Sequence, residues 1–403
     1  MYSILVVGDA TIATGFSRLI LSIFSRLAQK YELHQLALGY TGDPHDYHWP
    51  LYPAHSRGDP YGRNRLAEIV MKIQPSLIFL VNDIWLVASY LDVISDRKFA
   101  GTPVVAYCPI EGRGFNPDIV LKLQRLSKLV LYTEFGRREI ERCFAMVDQD
   151  VDANNFIDVI PHGIDLSTFY PMNLGSSVAG SAQESKRRAK EMLLKEEVSS
   201  DAFYVLNANR NQPRKRIDLT FQAFSIFCRD KPADVKLYLH MGLEDLGWDI
   251  GQLARRFEVS DRLILTTDLP TLPHVPDDQL NLIYNACDVG VSTAAAEGWG
   301  LVAFEHGATY APQVLPRSSS YAELWNDAAL FVDPVMTIIS PDLMFDHELI
   351  APKDVAQALE MLYQDNSTYN KLAEAAYRNA CRPELSWDTI AKRWDRLFES
   401  LLC

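Results

Sequence analysis

The chain has 403 residues, 48% hydrophobic and 23% charged, a composition that suits two globular domains and excludes a disordered or fibrous protein. Its net charge is −13, so a broad basic face for nucleic acid is not expected. Six cysteines (Cys108, Cys143, Cys228, Cys287, Cys381 and Cys403) form no CxxC pair and read as reduced, buried thiols rather than disulfides or zinc ligands.

The N-terminus, Met1-Tyr2-Ser3-Ile4-Leu5-Val6-Val7-Gly8, lacks the basic region of a signal peptide. The longest apolar stretch, 77–91, is interrupted by Asn82-Asp83 and is too short to span a bilayer. A cytoplasmic location is expected, with peripheral membrane contact left open.

Short apolar runs then alternate with helical patterns. Residues 4–7 predict a buried parallel strand, followed by a Gly/Thr/Ala turn and an amphipathic helix over about 17–30. Strand-like runs recur at Glu32–Leu38, Leu77–Val81, 104–107, 129–133 and 159–160. Residues 173–187 are small and polar and predict a linker, with a basic-acidic helix over about 186–195. The alternation restarts at Phe203–Asn207, Val235–Leu239, 263–266, 289–293, 313–315 and Leu330–Val332. A helical stripe of Trp387, Ile390, Trp394 and Leu397 ends the chain. Continuous apolar strands joined by helices imply parallel sheets covered on both faces. The expected architecture is α/β: two Rossmann-like, doubly wound domains, 1–172 and 173–385, facing across a cleft, followed by a helix over 386–403.

Ligands of open parallel sheets bind beyond the carboxyl ends of strands, which directs attention to four loops. The first, 8–17, is not GxGxxG, yet Gly15 permits close backbone approach to a ligand; it is also compatible with an ordinary strand-to-helix turn. The second, Asn207-Ala208-Asn209-Arg210-Asn211-Gln212-Pro213-Arg214-Lys215-Arg216, places four cations within seven residues, as surface charges suited to a diphosphate or as a solvated loop. The third, Glu297-Gly298-Trp299-Gly300-Leu301-Val302-Ala303-Phe304-Glu305, opens a helix whose free N–H groups suit phosphate. Glu297 stands at its mouth, within reach of a sugar hydroxyl, and Glu305 about two turns in. The fourth, Ile160-Pro161-His162-Gly163-Ile164-Asp165, lies between the two strand sets.

These segments together resemble family-4 retaining glycosyltransferases with the GT-B fold. Glu297 and Glu305 resemble that family's E-x7-E motif, Arg210 and Lys215 its Arg and Lys after the first strand of the second domain, and Tyr284-Asn285-Ala286-Cys287-Asp288 the helix and strand before the acids. The resemblance implies that Arg210 and Lys215 bind the donor diphosphate and stabilise the leaving group, that Glu305 holds the ribose hydroxyls, and that Glu297 contacts the transferred sugar. It places Asn209 and the backbone of Trp299, Gly300 and Leu301 on the donor, lets the loop at Gly15 approach the pyrophosphate, and implies that the helix over 386–403 crosses back to the N-terminal domain. Asp83, Glu111 and His162 are the candidates for the acceptor or sugar side. Three departures stand out: Pro109 where many members have histidine, no paired glycines in the first loop, and Ser319-Ser320 in place of Gly-Gly.

The implied activity is retaining, metal-independent transfer of a hexosyl group from a nucleotide-sugar, with UDP-sugars favoured and GDP-mannose next. The acceptor (a glycan, a lipid-linked sugar, a small molecule or a protein) is not identified by the sequence. No cofactor, metal or nucleic-acid partner is expected. The alternative is a non-catalytic sugar-nucleotide-binding subunit, favoured by the absent histidine.

Overall fold

Burial of every side chain in 4–7 and in Leu77–Val81 explains why these runs form adjacent central strands: a parallel strand packed on both faces has no polar side to present. A computed structural model describes residues 1–12, 14–94, 101–147, 153–172, 181–271, 273–340 and 344–403. The chain divides into two units, Met1–Gly163 with Ser340–Phe345 and Pro383–Cys403, and Ile164–Ile339 with Asp346–Arg382.

The first unit holds seven parallel strands: β1 (Ser3–Asp9), β2 (Glu32–Leu38), β3 (Leu51–Pro53), β4 (Leu77–Val81), β5 (Val104–Cys108), β6 (Lys128–Leu131) and β7 (Ile157–Val159), ordered β3-β2-β1-β4-β5-β6-β7. The strand order reverses between β1 and β4. The helix Gly15–Leu27 is capped by Thr14, whose hydroxyl accepts from the Ser17 amide at 3.2 Å. It packs against the C-terminal helix Trp387–Leu402, with Phe24 stacked on Phe398 at 6.2 Å. Trp394 packs edge-on against Phe79 of β4 at 4.9 Å. Lys30 reaches Asp395 and Glu399 of the same helix.

The second unit holds six parallel strands: β8 (Phe203–Asn207), β9 (Val235–Leu239), β10 (Leu263–Leu265), β11 (Val289–Val291), β12 (Gln313–Pro316) and β13 (Leu330–Val332), ordered β10-β9-β8-β11-β12-β13. Here the order reverses between β8 and β11. An antiparallel hairpin, β14 (Pro334–Ile339) with β15 (Asp346–Ile350), follows. The core joins these strands to the helices Ile217–Phe227, Pro352–Gln364 and Asn366–Ala380 through residues such as Phe221, Phe224, Leu237 and Leu359.

Two parallel-sheet Rossmann-like α/β domains are therefore present, as the strand pattern predicted. The differences are local. Part of the predicted linker, 173–180, lies outside the described residues, and its remainder is helical: Ser181–Leu194 is one helix, held by Arg187 between Glu184 and Glu191. The short β3 and the β14–β15 hairpin were not predicted. No helix among the described residues is long and apolar enough to cross a membrane.

Candidate active site

In the second unit, the loop after β8 and the loop after β11 meet because these two strands are neighbours, at the point where the strand order reverses. A chain of buried hydrogen bonds sets them side by side. Asn207 Nδ2 donates to Thr220 Oγ1 at 2.9 Å, the Thr220 and Thr293 hydroxyls are 2.7 Å apart, and Thr293 Oγ1 donates to the Arg216 carbonyl at 2.8 Å. The Ala295 amide donates to the Arg214 carbonyl at 2.8 Å. Asn209 is folded back onto Asn207, donating from both its amide and its side chain to Asn207 Oδ1 at 3.0 Å.

The four cations of the β8 loop are distinguished by their partners. Lys215 was expected at the surface, but it is only 7% exposed and its ammonium is ion-paired to Glu297 Oε2. Arg214 donates to the Ala296 carbonyl at 3.2 Å and lies 4.0 Å from Glu297 Oε1. Arg210, two-fifths exposed, forks onto Asp245 through Nε and Nη2 at 2.7 and 3.1 Å. Arg216 pairs with Asp218. The basic loop is thus internally compensated, not a field of bare charge.

Glu297 is buried, which by itself pushes its carboxyl up. The charges of Lys215 and Arg214, the Lys215 hydrogen bond and the Trp299 amide outweigh burial and hold it below its ordinary value. Its amide donates to Ser319 Oγ at 3.2 Å, and its carbonyl accepts from Ser320 Oγ at 2.7 Å. Ser319 has φ +41°, a conformation that glycine adopts more readily, and its side chain supplies a cap that glycine lacks. Glu297 was expected to present its carboxylate to a ligand; in this structure that carboxylate faces Lys215.

Gly300 opens the helix Leu301–Gly307 with φ +85°, and a Cβ there would come within 2.4 Å of the Tyr321 ring. That position requires glycine twice over, by conformation and by space. Trp299 is buried and stacks on Phe304 at 5.1 Å. Glu305, the fifth residue of the helix, is buried and accepts a hydrogen bond from the Tyr284 hydroxyl at 2.9 Å. The helix is shorter than two turns, so Glu305 sits just over one turn from Gly300 rather than two turns in.

Asn209, Arg210, Lys215, Glu297, Trp299, Gly300, Leu301 and Glu305 are thereby gathered at the carboxyl ends of β8 and β11. The remaining candidates belong to the first unit. Gly15 is the exposed first residue of its helix. Asp83 and Glu111 are half-buried and follow β4 and β5. Burial first, then charges that include those of Asp83 and Glu111, raise the Tyr132 phenol well above its ordinary value. His162 is buried, with its ring 4.1 Å from Tyr132 and 5.6 Å from Tyr107, and burial lowers it to about 3, so it is neutral at physiological pH.

Sequence reasoning singled out neither Asp245 nor the serine caps. It also passed over the β14–β15 hairpin, where the Glu348 amide donates to the Ala295 carbonyl and buttresses the Glu297 loop. Ser319-Ser320 carried a signal as a departure from Gly-Gly. Asp245 carried none, because the acids in Gly242-Leu243-Glu244-Asp245 look like solvated loop.

Residues 189–379 match the family model described as glycosyl transferases group 1. Mannosylfructose-phosphate synthase of Agrobacterium fabrum is 24% identical over 253 residues, 60% of this chain and 47% of that protein, so the chain spans about half the length of the curated relative it matches. Sucrose-phosphate synthase from Thermosynechococcus elongatus superposes with a TM-score of 0.73 at 16% identity, covering 100% of this chain and 99% of that one. Anabaena HepE in complex with UDP-glucose superposes with a TM-score of 0.68 at 14% identity, covering 99% and 100%. The fold is that of GT-B glycosyltransferases along the whole chain, and the stretch that carries Asn209, Arg210, Lys215, Glu297 and Glu305 is the one that matches glycosyl transferases group 1.

Proposed function

We propose that the protein is a retaining glycosyltransferase that takes a hexosyl group from a nucleotide-sugar. The observation that carries this reading is the buried pairing of Lys215, after β8, with Glu297, after β11, at the reversal of strand order. As the anomeric bond breaks, negative charge accumulates on the leaving diphosphate. Arg210, Lys215 and the amides at Gly300 and Leu301 are the groups that meet it. They supply this stabilisation without calling on a metal. Glu305 accepts ribose hydroxyls, and Glu297 sets Lys215 against the transferred sugar. Asn209 and Trp299 line the donor side. Gly15 is proposed for the donor pyrophosphate, and Asp83, Glu111 and His162 for the acceptor or sugar.

A UDP-sugar is the first donor to test, because HepE is in complex with UDP-glucose; GDP-mannose is next. A thermal-shift panel of UDP-, GDP- and ADP-sugars, followed by mass spectrometry of products, tests the reading. A donor at 100 times its Kd adds about 2.7 kcal/mol of stability. Stabilisation with turnover supports transfer; stabilisation without turnover in the presence of acceptor mixtures favours a non-catalytic binding subunit. NMR of a product made from an α-linked donor tests retention, and a β-linkage excludes it.

A further inference from the structure

We infer that Asp245 is the positioning residue for Arg210, an assignment that rests on the proposed donor site. A guanidinium carries five N–H groups. Asp245 engages only the Nε side, taking Nε at 2.7 Å and one Nη2 hydrogen at 3.1 Å. Three N–H groups remain along the Nη1–Nη2 edge, and no other partner is assigned to Arg210 among the described residues. That edge matches two oxygens of a phosphate. The carboxylate therefore fixes the guanidinium without occupying the edge that reads the ligand.

Asp245 is itself held rigidly. Asn211, fully buried beside Arg210, accepts from the Trp248 amide at 3.0 Å and donates to the Trp248 carbonyl at 2.7 Å and the Gly242 carbonyl at 3.2 Å. Its own carbonyl accepts from the Leu246 amide at 3.2 Å, and the Asp245 amide donates to the Pro270 carbonyl at 3.1 Å. A Cβ at Gly247 would meet Asn211 Oδ1 at 2.1 Å, and one at Gly242 would meet the Pro270 carbonyl at 2.4 Å, so both glycines are required for this loop to approach so closely. Arg210 and Asp245, 35 residues apart, thus belong to one clamp whose fixed side is Asn211.

The partner this clamp selects is a ligand with a second phosphate. Calorimetric Kd values for UDP, GDP and ADP, and for UMP, GMP and AMP, should be compared between the unaltered protein and Asp245→Asn. The Asn variant keeps the shape but turns an N–H group toward the guanidinium. The expected result is about a tenfold rise in Kd for the diphosphate that binds, with the matching monophosphate within about twofold. In an Arg210→Ala background the Asp245 change should have no further effect. An equal loss for both ligands, no loss, or tighter diphosphate binding would overturn the assignment while leaving the donor site standing. Failure of the unaltered protein to bind any of the three diphosphates overturns the donor site, and the clamp with it.

Discussion

Lys215 and Glu297, 82 residues apart in the chain, form one buried ion pair at the carboxyl ends of the adjacent strands β8 and β11. A buried pair tolerates removal of one partner badly, because the other charge stays behind without compensation. Lys215→Ala is accordingly expected to cost about 3–5 kcal/mol of stability as well as activity. Adding Glu297→Gln should restore part of that loss. Thermal unfolding of the two single variants and the double variant decides the matter; strictly additive losses would mean that the two residues act independently.

Arg210 should behave differently. Its side chain is two-fifths exposed, and a pair of that kind contributes about 0–1 kcal/mol to stability. Arg210→Ala is expected to melt close to the unaltered protein while losing about 100- to 1000-fold in kcat, the usual effect of deleting one donor to developing charge. Turnover near the original rate at saturating donor would remove Arg210 from the leaving-group site.

The pH dependence of stability has a definite sign. Burial lowers both His162 and His306 from 6.5 to about 3, the latter also under the charge of Lys186. Between these values the unfolded chain binds protons that the folded chain does not, so stability falls as pH drops below about 6.5. The depressed Glu297 carboxyl adds a second loss. Its contribution is intact above 4.5 and disappears as pH falls through its lower folded-state value. Melting temperature should decline from pH 6.5 to 5, with a shallower slope in His162→Phe. A flat profile over that interval contradicts the neutral, buried assignment.

The parallel strands were legible because most are short, mainly apolar runs such as Leu77–Val81; that strand, Glu32–Leu38 and Val235–Leu239 have the bounds the sequence suggests. β3 escaped because it has three residues and contains Pro53, so it resembles loop. The β14–β15 hairpin escaped for another reason. Val335, Met336 and Ile339 are exposed, so their apolar pattern reports no core. Clustered cations pointed to the loop after β8, and two glycines with two spaced acids pointed to the segment after β11. What spacing does not contain is pairing across the sheet: that Lys215 faces Glu297 and Arg210 faces Asp245 follows from strand order, which brings distant loops together.

Glu305 and Glu297 should fail in different ways when each is changed to Gln, a replacement close in shape. Glu305 accepts from the Tyr284 hydroxyl at 2.9 Å, and its proposed role is to meet the ribose hydroxyls. That contact forms whether or not the sugar bond is breaking, and its loss weakens ground and transition states together. Glu305→Gln should raise KM for the donor more than it lowers kcat. Tyr284→Phe, which only releases the carboxylate, should raise KM by a smaller factor. Glu297 instead orients Lys215 and sits between two serine caps, so Glu297→Gln disturbs the group that meets the leaving diphosphate. It should lower kcat with a smaller change in KM, and it should lose stability, because Glu297 has the buried Lys215 ammonium against it. Steady-state kinetics with the identified donor, together with melting temperatures, separate the two. Identical kinetic losses with identical melting losses would mean that both acids serve only the packing at the start of the Leu301–Gly307 helix.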